Sequence, residues 1–329
     1  MVVEANKTQV AGADETGVQV SALEHPMALA ALSRLASSGA WQRVIDGQPL
    51  IEEIDLVDAA FLVAAGAVTR VADNTFRVGV SDPLYGNCQA LADWTHYLLR
   101  RALRHATGRS VGWTDEDPET LLSFGRASGR GADIIADLLL AQVPEIAAVF
   151  TAGRGCFLDV GVGVGAISIG LVKRFPGTAA VGLDVSRQVL DLAHAEVARS
   201  GLAGDVELRL QSVADLGEQD RYDLAWVPQG FIPRHAFLAG VGNVFSALKP
   251  GGVAVIPVDA QAGISEFARA RQAHSAYLAG GSTFTRSELL EVLDATGFVD
   301  PVEHPVGAQV LMTLIKPALG WSGATLAGI

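Results

Sequence analysis

The spacing of hydrophobic positions divides this chain into two regions of different period. Between His25 and about Val80, apolar residues recur at helical spacing over Pro26 to Trp41 and over Ile51 to Ala65, a run that Gly66 closes. Two short runs, Val68-Thr-Arg-Val71 and Thr75-Phe-Arg-Val78, then flank Asp73-Asn74, so this region predicts helix, helix and hairpin. From Gly155 onward, strand-like runs at Cys156 to Val160, Ala179 to Leu183, Val206 to Gln211, Asp223 to Val227 and Val253 to Val258 alternate with helical ones. Alternation of this kind predicts a parallel sheet covered by helices on both faces. Pro176-Gly177 and Gly201 stop two helices, Ser186 is an N-cap, and Thr285-Arg-Ser-Glu288 is a capping box for a helix ending at Gly297. Phe298 to Val302 and Gln309 to Lys316 follow too closely for a crossover helix and must pair antiparallel. The expected fold class is therefore α/β: a Rossmann-like seven-stranded sheet with the last strand antiparallel, behind a mainly helical N-terminal domain.

Candidate chemistry concentrates where the first strand of the sheet meets its helix, in Cys156-Phe-Leu-Asp-Val-Gly-Val-Gly-Val-Gly165. Glycines in such a turn let a nucleotide approach the backbone, and Gly161, Gly163 and Ala166 satisfy the dinucleotide pattern G-x-G-x-x-A. Asp159 changes that picture, because a carboxylate here repels a pyrophosphate. It attracts a ligand with an ammonium group and no phosphate, such as S-adenosylmethionine (SAM).

Composition narrows the class further. A chain of 329 residues holds one large or two ordinary domains. With 50% hydrophobic residues it buries a full core without metals or disulfides. The two cysteines, Cys88 and Cys156, lack metal-ligand spacing, which fits a reducing compartment and no structural zinc. A formal charge of −12 disfavours a nucleic-acid backbone or an anionic membrane surface as main partner. The N-terminus lacks the cationic start and apolar run of a signal peptide, and the longest apolar stretch, Ala59 to Thr69, is shorter than the ~20 residues a span requires. A cytoplasmic protein without a bound metal is expected.

Between the two regions, Ala90 to Ala106 reads as a helix bearing Trp94, His96, Tyr97, Arg100, Arg101, Arg104 and His105. Its aromatics are expected to pack on one face and its cations to be solvated. Trp113 and the run Phe124-Gly-Arg-Ala-Ser-Gly-Arg130 lie just upstream of the glycine turn, where a helix can fold over a bound ligand. Phe124 and Arg126 are therefore candidate pocket residues.

Two resemblances can now be stated. The stretch Ala64-Ala-Gly-Ala-Val-Thr-Arg-Val-Ala-Asp-Asn-Thr-Phe-Arg-Val78 resembles the second helix and wing of the winged-helix module that begins many small-molecule O-methyltransferases, where it serves dimerisation, and also of DNA-reading bacterial regulators. Charge favours the first use: Glu52, Glu53, Asp55 and Asp58 mark the helix that would meet DNA, and no lysine or arginine accompanies them. The region from about Phe124 to Pro317 is similar to the class I SAM-dependent methyltransferases. It carries, in order, Asp159-Val-Gly-Val-Gly-Val-Gly165, Val181-Gly-Leu-Asp184 and Leu248-Lys-Pro-Gly-Gly252.

The second resemblance implies a set of roles. SAM binds and S-adenosylhomocysteine (SAH) leaves. Asp159 holds the methionine ammonium, Gly161, Gly163 and Gly165 permit close approach, and Asp184 accepts the ribose hydroxyls. Val185, Ser212, Val213 and Val227 complete the cofactor contacts, although the acid usual in the family at the third strand end is absent at Val213, with Asp215 nearby. Methyl transfer needs in-line positioning and, for many acceptors, removal of a proton. The dimeric O-methyltransferases place a histidine base after the fourth strand; the matched position here is Gly230, and His235 is the candidate base, with His274 as a further one. Gln229 and Phe231 join Trp94, Phe124 and Arg126 as expected lining of the acceptor pocket, and Val227-Pro-Gln-Gly230 offers no carboxylate to a hard cation.

The expected organisation is a flexible segment 1–24, a dimerisation domain 25–110, a methyltransferase domain 111–317 and a tail 318–329. Three functions stay open. The first is a homodimeric SAM-dependent methyltransferase acting at O or N of a small natural-product or peptide-derived acceptor. The second is an NAD-dependent oxidoreductase, opposed by Asp159 and the reversed last strand. The third is a winged-helix regulator that senses SAM, opposed by the acidic second helix.

Overall fold

The computed structural model describes residues 26–80, 83–107, 112–113, 117–258, 266–281, 283–306 and 309–318. The expected flexible segment 1–24 and the tail beyond residue 318 lie outside the described residues. The chain forms two compact units that divide between Cys88 and Gln89. The helix bearing Trp94 thus belongs with the second unit, ahead of the boundary expected near residue 110.

The first unit holds α1 (Pro26–Ser38), α2 (Ala40–Ile45), α3 (Glu53–Ala64) and an antiparallel hairpin of β1 (Val68–Ala72) and β2 (Thr75–Val78). The single helix expected over residues 26–41 is two, because Gly39 takes a left-handed φ of 81° and restarts the chain as α2. Leu32, Leu35, Trp41, Leu62 and Phe76 are fully buried and form its centre. Asp58, which reads in sequence as part of an acidic face, is buried in an ion pair with Arg34 that ties α3 to α1. The outward side of α3 carries Ile54 and Val57, each 58% exposed, and Phe61. These positions are spaced to lie along one side of the helix.

In the second unit, α4 (Cys88–Thr107), α5 (Pro118–Ser128), α6 (Gly131–Gln142) and α7 (Pro144–Thr151) precede the sheet. Then come β3 (Cys156–Val160), α8 (Ala166–Arg174), β4 (Ala179–Asp184), α9 (Arg187–Arg199) and β5 (Val206–Leu210). The return half is β6 (Tyr222–Trp226), α10 (Arg234–Ala247) and β7 (Leu248–Val258). The chain closes with α11 (Glu266–Leu278), α12 (Arg286–Thr296), β8 (Val299–Val306) and β9 (Gln309–Ile315). The sheet runs β5-β4-β3-β6-β7-β9-β8; its parallel pairs are β4 with β5, β3 with β4, β3 with β6, and β6 with β7, while β9 is antiparallel to both neighbours. The expected seven strands with the last one reversed are therefore present. Ser186 caps α9 and the Thr285/Glu288 capping box opens α12.

Two cores cover the two faces of the sheet. Leu158 and Val160 of β3 pack with Val181, Leu183, Phe237, Leu289 and Leu293, whereas Phe157 packs with Ile135, Leu139, Phe150 and Leu171. Side chains alternate faces along a strand, so Asp159 shares the face of Phe157 and looks toward α8. The chain builds β3, β4 and β5 outward to one edge and then returns to β6 on the other side of β3. That reversal leaves a crevice outside the carboxyl ends of β3 and β6, the usual ligand site of an open parallel sheet. Among the described residues no single helix is long and apolar enough to cross a membrane.

Candidate active site at the carboxyl ends of β3, β4 and β6

The turn after β3 is held by its valines and left open by its glycines. Gly161, Gly163 and Gly165 have φ values of 70°, 57° and 84°, a left-handed backbone that side chains disfavour. Val162 is buried against Gly182 of β4, and its N–H donates to the Leu183 carbonyl at 2.9 Å. Val164 is buried against Gly125 of α5, where an added Cβ would meet Val164 Cγ2 at 1.9 Å. The site of a Cβ at Gly163, by contrast, faces open space. The turn is thus pinned on its inner side by two valines and accessible on its outer side at Gly163, and α5 lies against it because residue 125 has no side chain.

Two carboxylates flank this turn in different ways. Asp184, at the end of β4, accepts the N–H of Gly163 at 3.1 Å through Oδ2 and that of Ser186 at 2.9 Å through Oδ1. Burial raises its carboxyl, against the opposing pull of those backbone donors. A carboxylate offers about four lone-pair sites, so capacity remains for a vicinal diol. Asp159 is almost wholly buried, and its Oδ2 accepts the Ser168 hydroxyl at 2.7 Å. Desolvation pushes its carboxyl up from 3.8 to about 7, with the nearby Asp184 charge adding to the rise and the Ser168 hydroxyl opposing it. Asp159 is therefore a buried acid whose ionisation a neighbouring cation would favour.

The remaining expected cofactor residues divide between surface and core. Val185 beside Asp184 is 69% exposed, an apolar surface at the strand end. Ser212 caps a short 3-10 turn, Val213 to Asp215, by accepting the Ala214 N–H, and Asn243 of α10 holds the carbonyls of Val213 and Ala214. Val213 is buried and Asp215 exposed. Val227 is buried in the core, so only its backbone can face a ligand, and its carbonyl already accepts the Gln229 N–H.

A nest of aromatic rings stands beside the β6 end. Trp94 and Tyr97 come from α4, Trp113 from the segment after it, Phe124 from α5, and Phe231 from the 3-10 turn Gln229 to Phe231 after β6. Tyr97 and Phe124 have ring centroids 4.6 Å apart, Trp113 and Phe124 stack at 4.6 Å, and Phe231 lies 5.7 Å from Phe124 and 6.0 Å from Trp113. Trp94 joins through Tyr97 at 5.5 Å. Arg101, expected to be solvated, is buried: its guanidinium lies 4.3 Å from the Trp113 ring centroid and donates to the Leu278 carbonyl at 2.6 Å, which also takes the Gly112 N–H. Nothing in the period of α4 distinguishes Arg101 from Arg100 and Arg104; its burial depends on Trp113, in the segment after the helix, and on α11, which is distant in sequence. Tyr97 and Trp113 were readable as aromatics but not as members of this nest.

Three expected pocket or catalytic side chains are exposed. Arg126 is exposed and donates to Glu196 of α9 at 3.2 Å, so it braces α5 behind Phe124. His235, the second residue of α10, is exposed, as is His274 on α11. Gln229, in contrast, is 5% exposed, and its side-chain Oε1 has no hydrogen-bond partner among the described residues.

Comparison with known proteins bears on the fold that carries this site. Residues 157–252 match the family model described as a methyltransferase domain. A curated relative, the ubiquinone/menaquinone biosynthesis C-methyltransferase UbiE of Geotalea daltonii, is 28% identical over 107 residues, which is 32% of this chain. The match spans 46%, about half, of that relative's length. Among solved structures, the S-adenosylmethionine-dependent methyltransferase SibL superposes with a TM-score of 0.60 at 18% identity, covering 91% of this chain and 100% of that one. The mitomycin 7-O-methyltransferase MmcR gives 0.55 at 16% identity, covering 89% and 95%. At these identities the structures establish a shared fold. The segment 157–252 is similar to a methyltransferase domain, and the sheet around it shares the fold of these SAM-dependent methyltransferases.

Proposed function

We propose that this protein transfers a methyl group from SAM to an oxygen or nitrogen of a small, flat acceptor of natural-product or peptide-derived type. The observation that carries the reading is the aromatic nest of Trp94, Tyr97, Trp113, Phe124 and Phe231 beside the β6 turn, with Phe124 adjoining the Gly125 contact to the glycine turn. Rings in this arrangement suit a planar apolar body. SAH is the co-product of that transfer.

The residues present fit that cofactor. Gly163 leaves an open approach, Asp184 keeps acceptor capacity for ribose hydroxyls, Val185 offers apolar surface to an adenine, and Asp159 is an acid that an ammonium would hold ionised. When bound, SAM supplies a methyl group that is already strongly electrophilic. The chain itself then positions the acceptor, excludes water and takes up a proton. In this proposal His235 accepts that proton, Gln229, Phe231, Phe124 and Trp94 hold the acceptor, and Arg126 fixes α5 through Glu196. The name of MmcR, which shares the fold, specifies transfer to an oxygen of a small molecule and supports this acceptor class.

The first unit is assigned a winged-helix-like dimerisation role. Ile54, Val57 and Phe61 form an exposed apolar strip on α3 suited to a second copy, and of the four acids only Glu52 and Glu53 at the start of that helix are exposed to oppose DNA, Asp55 and Asp58 being buried. The reading locates the protein in the cytoplasm, where Cys88 and Cys156 stay reduced. Calorimetric titration with SAH, with NADH in parallel, followed by radiolabelled methyl transfer to phenols and aromatic amines, tests it. Binding of NADH alone, or no methyl transfer to any acceptor class, refutes it.

A further inference from the structure

We infer that Gln229 is the specificity-determining residue of the acceptor site: its Oε1 takes a hydrogen bond from a hydroxyl or amino group carried by a flat aromatic acceptor. This rests on the methyltransferase reading and sharpens it. The side chain is 5% exposed and its Oε1 is buried without a partner among the described residues. Buried polar atoms in native proteins are paired in the great majority of cases, and an apolar side chain of equal size would fill this position without the desolvation penalty.

The turn that carries Gln229 is held in place. Its backbone is fixed by Phe231 N–H to Pro228 carbonyl and Ile232 N–H to Gln229 carbonyl bonds. It is also pressed against residue 281, where even a Cβ would come within 1.9 Å of the Gly230 carbonyl oxygen. Two residues along the same turn, the Phe231 ring joins Trp113 and Phe124. An unpaired acceptor atom is thus held by a tightly packed turn next to a set of rings that suits a planar body. Pockets for small molecules characteristically combine an apolar lining with a few fixed polar groups that set orientation. Gln229 supplies that polar group, and an acceptor that lacks the donor leaves it unpaired.

The test compares 1-naphthol with 1-methoxynaphthalene, which has the same rings and no donor, by quenching of tryptophan fluorescence in protein saturated with SAH. The variants are Gln229→Met and Gln229→Leu. The wild type should prefer naphthol by about tenfold or more, the scale set by leaving a buried acceptor atom unpaired. Both variants should lose that preference, keep their affinity for methoxynaphthalene and SAH, and melt at higher temperature than wild type without ligands. Naphthol preference surviving in both variants overturns the inference, as does a wild type that binds SAH and shows no preference. Weakened SAH binding in the variants would assign Gln229 to the cofactor and also overturn it. Failure of the wild type to bind SAH defeats the underlying methyltransferase reading instead, so the two failures are distinct.

Discussion

Replacing Asp159 by Asn should make the unliganded protein more stable at alkaline pH and weaken its grip on the cofactor. Asn keeps the volume and retains an oxygen to accept the Ser168 hydroxyl, so the perturbation is the charge. A carboxyl raised from 3.8 to about 7 corresponds to about 4 kcal/mol above pH 7, by the ~1.4 kcal/mol per unit conversion. Because the folded value is raised, the stability this group contributes is fully present below the unfolded value and is lost as pH rises through about 7. Between about pH 5 and pH 8 the wild type should lose about 2–3 kcal/mol from this source, roughly 3–6 °C in Tm, and Asp159→Asn should not. Differential scanning calorimetry across that range, without and with SAH, reads both effects. Ammonium binding favours the ionised acid, so SAH should bind the wild type about tenfold more weakly at pH 6 than at pH 8, and the variant should show no such slope. Parallel Tm curves for wild type and variant would refute the reasoning, because they would mean that Asp159 ionises in the folded protein as readily as in the unfolded one.

Other expectations follow from the same geometry. Asp184→Ala removes a charged acceptor proposed for two ribose hydroxyls, each charge-assisted bond being worth about 1.5–3 kcal/mol; SAH affinity measured by calorimetry should fall by roughly 100-fold or more. Gly125→Ala drives a methyl group into Val164 and should cost about 1–3 kcal/mol in denaturant unfolding, while Gly125→Ala with Val164→Ala should recover most of that loss. His235→Ala should lower kcat by about 100-fold or more if His235 takes the proton; an unchanged pH profile and kcat would remove it from the proposal. Phe61→Asp should convert a dimer to monomer in sedimentation experiments without changing the far-UV spectrum.

The sequence by itself determined the elements whose signals are local. Alternating runs marked β3 to β6 to within a residue or two, the Thr285/Glu288 capping box and Gly297 bounded α12, and the short link before β9 required the reversed strand. The acid and glycines of the β3 turn pointed to a nucleoside carrying a cation, because charge and permitted backbone angles are properties of the residues themselves. Gly39 was a local signal too, and its left-handed break in the first helix passed unread within an apolar period that runs across it. Only the tertiary structure decided which face Asp159 occupies beside Ser168, that Arg101 is buried over Trp113 rather than solvated, and that Arg126 pairs with Glu196. It alone gathered rings from α4, α5 and the β6 turn into one nest and left Gln229 buried with an unpaired oxygen. Desolvation and ring packing arise from partners far apart in the chain, and a periodic pattern carries information only about a residue's own face.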